Sequence, residues 1–140
     1  MNRGMQRAAL TFVVLGMALV PAYSAPAKSD PLPLAMLGRL EPGSWDVHSR
    51  VPGGMAERIC LRNGRGLIQL RHPAVVCQQL VVDDRPGEVT VQYTCQGKGY
   101  GRTQIRQETP RLVQIESQGI ADGLPFSFSA EARRVGACAG

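Results

Sequence analysis

The chain has 140 residues, 44% of them hydrophobic but only 5% aromatic, with 16 basic and 11 acidic side chains. That length is one domain by the usual expectation. The excess of positive charge is small and no basic run exists, which argues against a nucleic-acid partner.

The first stretch is read as a signal peptide, residues 1–24. Arg3 and Arg7 give it a positive start, Ala8 to Val20 is apolar, and Ala22-Tyr23-Ser24 fits a small-x-small cleavage site. The competing reading is a membrane anchor, but the apolar run falls short of the ~20 residues that span a bilayer. No cysteine lies near the cleavage site to take a lipid, and no later stretch is apolar for long enough to span a membrane. The expected location is therefore periplasmic or secreted. Residues 25–35, rich in Pro, Ala and Ser, are read as a flexible tether, and 36–140 as a single β-rich domain.

Asp30-Pro31 can start a short helix, because proline at the first helical position gives up only an N–H that is unpaired anyway. Leu34, Leu37 and Leu40 recur at helical spacing, and Glu41-Pro42-Gly43 ends the run. From Gly43 to Val51, Trp45, Val47 and Ser49 alternate with Asp46, His48 and Arg50, the period of a strand with one buried face. Pro52-Gly53-Gly54 turns into a weaker strand, Met55 to Leu61. Arg62 to His72 is a short helix or an irregular connection, since Asn63-Gly64 and Gly66 sit badly inside a helix.

The clearest signal is a hairpin. Gln78 to Asp84 faces Glu88 to Cys95 around Arg85-Pro86-Gly87, with Val89, Val91, Tyr93 and Cys95 on one side. Gln96 to Gly101 is a glycine-rich turn. Three strands follow: Arg102 to Glu108, Arg111 to Gln118, and a last one with Leu124, Phe126, Phe128, Ala130 and Ala132 on one face. Residues from Arg134 onward form a tail held by Cys138. The fold class is mainly β: an antiparallel meander forming a curled sheet or small open barrel, with one or two short helices and two disulfides.

An even cysteine count in a small exported domain implies structural disulfides. Matching Leu80 and Val82 with Tyr93 and Val91 puts Cys77 and Cys95 on opposite faces, so a bridge between them needs a bulge or another register. The favoured pairing is Cys60 with Cys77 and Cys95 with Cys138. There is no Cys-x-x-Cys, and the spacings of 17, 18 and 43 do not suit a zinc site.

Gly43-Ser-Trp45 opening a strand, Ile59-Cys60 ending the next, Cys77 before a hairpin, Tyr93-Thr94-Cys95 closing it and Gly136-Ala-Cys138 at the tail resemble the domain of unknown function 3617 family. These are small exported proteins of Gram-negative bacteria. The resemblance covers about residues 36–139 and implies a mostly β periplasmic domain with no known catalytic residues. The chain departs from the family in lacking a longer Met- and Pro-rich insert after the first strand, where only Pro52-Gly-Gly-Met55 stands.

No motif for catalysis, metal or cofactor stands out. His48, on the polar side of a strand, and His72, before Pro73, read as solvated surface without a nucleophile–base partner. Asp83 and Asp84 point to opposite faces and flank a turn. Gly97-Lys98-Gly99-Tyr100-Gly101-Arg102 superficially suggests an anion cradle, but it precedes a strand and does not open a helix. Arg102, Arg106 and Arg133, with Arg111 and Arg134 nearby, are the candidate anion contacts, set against the alternative of an ordinary mixed-charge surface. The functional expectation is a non-enzymatic binding module of the cell envelope. Its partner would be a small apolar ligand on a concave face made of Val89, Val91, Tyr93, Val113, Ile115, Phe126 and Phe128, or an envelope protein. A structural or partner-docking module without a pocket is the alternative, and a hydrolase the remote one.

Overall fold

A computed structural model describes residues 34–139. The signal-peptide reading, the helix start at Asp30-Pro31 and most of the tether lie outside the described residues. The packed part begins earlier than the sequence suggests. Leu34 is buried and Ala35 opens the helix, so both belong to the domain and not to a tether.

Seven antiparallel strands form one open sheet. They are β1 (Gly43–Ser49), β2 (Ala56–Leu61), β3 (Gln78–Arg85), β4 (Glu88–Cys95), β5 (Gly99–Thr109), β6 (Leu112–Ala121) and β7 (Leu124–Gly136). Their order across the sheet is β2-β1-β7-β6-β5-β4-β3. Thus β3 to β7 meander, and the β1–β2 hairpin joins the far side of β7. The sheet does not close, and β2 and β3 are its edges.

One face carries the core. Across the ladder Val47 of β1 faces Ala132 of β7 and Ala132 faces Val113 of β6, while Ala130 of β7, Ile115 of β6, Ile105 of β5 and Val89 of β4 form a second row; Trp45 and Val91 are buried on the same face. The helix α1 (Ala35–Gly38) and a 3-10 turn (Gly64–Leu67) cover this face. Met36, Leu37, Leu40, Leu67 and Ile68 join the strand residues in one buried cluster. Fully burying one such side chain stabilises by roughly 1.5–3 kcal/mol. The curled apolar face is therefore filled by the protein's own side chains.

Asn63 and Gly64, awkward for an α-helix, suit this cover. Asn63 Oδ1 accepts from the Arg65 N–H at 3.0 Å and caps the 3-10 turn. A Cβ on Gly64 would lie 2.6 Å from the Leu37 carbonyl oxygen, so only glycine lets the two covering segments touch.

Both disulfides form, but with another pairing: Cys60–Cys138 and Cys77–Cys95. The expected Cys60–Cys77 and Cys95–Cys138 are corrected by the register of the β3–β4 hairpin. Gln78 faces Thr94 and Leu80 faces Gln92, one residue off the apolar matching, and a bulge between Val81 and Asp83 absorbs the difference. Leu80 and Val82 therefore point to solvent, and Cys77 stands opposite Cys95 with 4.3 Å between Cα atoms. The Cys60–Cys138 bridge ties edge strand β2 to the tail after β7.

Candidate functional site

The opposite face of the sheet is polar, and its side chains fall into rows across the strands. One row runs Glu88, Arg106, Gln114, Glu131, His48. The next is Thr90, Gln104, Glu116, Ser129, and the third is Gln92, Arg102, Gln118, Ser127. Neighbours within a row stand about 4.8 Å apart, the spacing of strands.

The first row and its surroundings are matched internally. Arg58 donates to both Asp46 oxygens at 2.6 and 2.9 Å, which holds the Asp46 carboxyl below its ordinary range. Glu131 accepts from Gln114 at 3.2 Å and from Arg133 at 3.1 Å, and these bonds lower its pKa as well. Arg106 lies 3.3 Å from Glu108, Arg85 pairs with Asp83 and Glu88, and Arg50 donates to Gln114. The second and third rows differ. Among the described residues, Gln92, Arg102, Gln104, Glu116, Gln118 and Ser127 make no side-chain hydrogen bond or ion pair.

Three shallow cavities lie along these rows. One of about 350 Å3 is bordered by Tyr100, Arg102, Gln92 and Gln118. A second of about 210 Å3 shares Arg102, Gln118 and Ser127 with it and adds Gln104 and Glu116. A third of about 80 Å3 shares Gln104 and Glu116 and reaches Arg106 and Arg50. Together they make one trough along β5 and β6, with the half-exposed Tyr100 at its head.

The structure separates the three arginines that the sequence groups as anion contacts. Arg102 and Arg106 share the face but stand four residues apart on β5, roughly 13 Å along the strand. Arg106 and Arg133 have carboxylate partners, whereas Arg102 has none. Arg111 and Arg134 both turn to Glu41, at 2.8 and 3.8 Å. Asp83 and Asp84 occupy successive ladder positions, opposite Thr90 and Val89, so they do not share a site.

His72 is not solvated surface. It is buried at 4% exposure on the covering segment, which continues past the 3-10 turn, and lies on the other side of the sheet from His48. Its Nε2 lies 3.1 Å from the Lys98 carbonyl, which can only accept, so Nε2 carries a proton. In the neutral ring Nδ1 then accepts from the Tyr93 hydroxyl at 3.2 Å. Burial pushes the Tyr93 phenol up from its ordinary pKa. Nearby, Thr103 donates to the Ile68 carbonyl at 2.6 Å, and Ser117 in turn donates to Thr103 at 2.8 Å. These bonds fasten the covering segment to β4, β5 and β6.

The same network explains Gly101 of the supposed anion cradle and Gly119, its partner on β6. A Cβ on Gly101 would lie 2.5 Å from Tyr93 Cζ, and one on Gly119 would lie 2.7 Å from Gly101 Cα. Gly101 makes room for the Tyr93 ring, and Gly119 for the close approach of β5. Gly43, the first residue of the Gly-Ser-Trp run, has a similar role: its φ is +147° and a Cβ there would crowd Arg134 Nε at 2.7 Å.

Among the described residues, no group of three or more His, Cys, Asp or Glu side chains is placed to hold a metal ion, and no helix is long and apolar enough to cross a membrane. Neither histidine meets a carboxylate and a hydroxyl in an arrangement for nucleophilic catalysis. The chain matches no protein-family model, no curated protein and no solved structure.

Proposed function

We propose that the chain is a non-enzymatic binding module of the cell envelope, exported by residues 1–24, whose ligand lies on the polar outer face of the sheet. The observation that carries this reading is the trough on β5 and β6. There a row of amide, guanidinium and hydroxyl groups has no internal partner, while the charges around it are matched. Such a surface has its hydrogen-bonding capacity free for a polar ligand. The apolar side of the sheet offers no comparable opening, since Val89, Val91, Val113 and Ile115 are fully buried under α1 and the 3-10 turn. That favours a polar ligand over the small apolar one.

Export to an oxidising compartment is supported by the cysteines. All four are paired, which is how cysteines persist outside the cytosol. We also propose kinship with the domain of unknown function 3617 family. Its Gly-x-Trp run and cysteine order correspond here to the crowded Gly43, the buried Trp45 and the two bridges.

Partner docking is the second reading, and one observation favours it. On open edge β3 Leu80 is 63% exposed, and Val76 just before the strand is 96% exposed. Native mass spectrometry of the protein isolated from periplasm without reductant tests both. A retained small adduct that Gln118→Ala abolishes supports the binding module. Protein free of adduct but held in a complex that Leu80→Asp disrupts supports docking instead.

A further inference from the structure

We propose that the trough takes an acidic sugar: its carboxylate or phosphate on Arg102, its hydroxyls on the flanking amides, its ring face against Tyr100. This rests on the reading of the outer face as the binding surface and names the ligand class. Six arginines stand on or beside this face, and five of them have a partner: Arg58 with Asp46, Arg85 with Asp83, Arg106 with Glu108, Arg133 with Glu131, and Arg50 with Gln114. Of these six, Arg102 alone makes no bond among the described residues, and it borders the two larger cavities of the trough. A guanidinium presents a rigid fork of donors that matches a carboxylate or phosphate in a bidentate manner.

The neighbours of Arg102 point to a sugar in preference to a bare anion. Gln92 and Gln118 stand directly across from it on β4 and β6. Each amide both donates and accepts, as a sugar hydroxyl does, so vicinal hydroxyls can bond to them in pairs. Ser127 extends the row on β7. Tyr100 lies two residues before Arg102 on the same face and is half exposed, an aromatic platform of the kind that ends apolar and wet at once. The unpaired Glu116, in the next row, limits the site to one anionic group, because a second would meet its carboxylate.

Isothermal titration of the disulfide-bonded protein tests this with four probes: the monosaccharide galacturonate, glucose 6-phosphate, neutral galactose and inorganic phosphate. Binding of the galacturonate or the sugar phosphate, whichever is tighter naming the acid, is expected. Losing the charge-assisted pair in Arg102→Ala weakens it about ten- to a hundredfold. Arg133→Ala, which lies outside the trough, leaves it unchanged. Equal binding of the neutral sugar, insensitive to Arg102→Ala, overturns the acidic ligand but leaves the outer-face reading standing. Phosphate alone binding as tightly as either acidic sugar overturns the sugar. No binding of any probe overturns the acidic-sugar assignment; if the adduct of the native protein is also insensitive to Gln118→Ala, the outer-face reading falls with it.

Discussion

Gly101→Ala is expected to destabilise the fold by jamming Tyr93. The new Cβ would lie 2.5 Å from Cζ and 2.8 Å from Cε1 of the ring. The ring has little freedom to retreat, being 1% exposed and hydrogen-bonded to His72 at 3.2 Å. Overpacking of this kind costs about 1–3 kcal/mol. In a domain near 100 residues each kcal/mol lowers Tm by about 4–8 °C, so a fall of roughly 10 °C is expected. Urea denaturation of four proteins gives the decisive comparison: wild type, Gly101→Ala, Tyr93→Leu and the double variant. With the ring removed, the alanine should cost little, giving a coupling of about 0.5–3 kcal/mol. An alanine that costs the same in both backgrounds would refute the packing argument. An anion cradle predicts the reverse: stability unchanged, anion affinity lost.

Other expectations follow from the same contacts. Non-reducing peptide mapping should join Cys60 to Cys138 and Cys77 to Cys95. With loops of 78 and 18 residues, the chain-entropy model makes their removal cost about 4.5 and about 3 kcal/mol, so the Cys60→Ala/Cys138→Ala protein should unfold at lower urea than Cys77→Ala, measured with the other bridge intact. His72→Ala should cost about 1–3 kcal/mol by orphaning the Tyr93 hydroxyl and the Lys98 carbonyl, and His72→Gln should recover part of that. Burial raises the Tyr93 phenol in the folded state, so the unfolded chain gives up its proton first. The stability tied to this group is whole below about pH 10, the ordinary phenol value, and falls as pH rises beyond it. Tyr93→Phe should lose that part of the alkaline decline in a stability–pH series; an unaltered slope would contradict the burial.

Much of the fold was legible because the strand signal is local. The alternation of Val89, Val91, Tyr93 and Cys95, and that of Trp45 and Val47, names the buried face, and the Pro and Gly pairs name the turns. The disulfide pairing was not legible, because Leu80 and Val82 look like core residues and sit on the solvent side of an edge strand. Only the bulge at Val81–Asp83 fixes the register, and nothing in the local sequence marks it. His72 was missed because a connecting segment shows no period from which to read burial. The glycines of 97–101 were visible, but the partner of Gly101 is Tyr93, which comes to lie over it only when β4 pairs with β5. The trough was not legible either. Gln92, Arg102, Gln118 and Ser127 come from four strands and form a row only through the register.

On the reading proposed above, the polar outer face, and not the apolar one, meets the ligand. Side-chain amide and methyl spectra of labelled protein, recorded with and without the monosaccharide galacturonate, decide between the two faces. The amide signals of Gln92, Gln104 and Gln118 should shift and the methyls of Val89, Val91 and Ile115 should not. Shifts confined to those methyls, or to Leu80 and Val82 on the β3 edge, would contradict it.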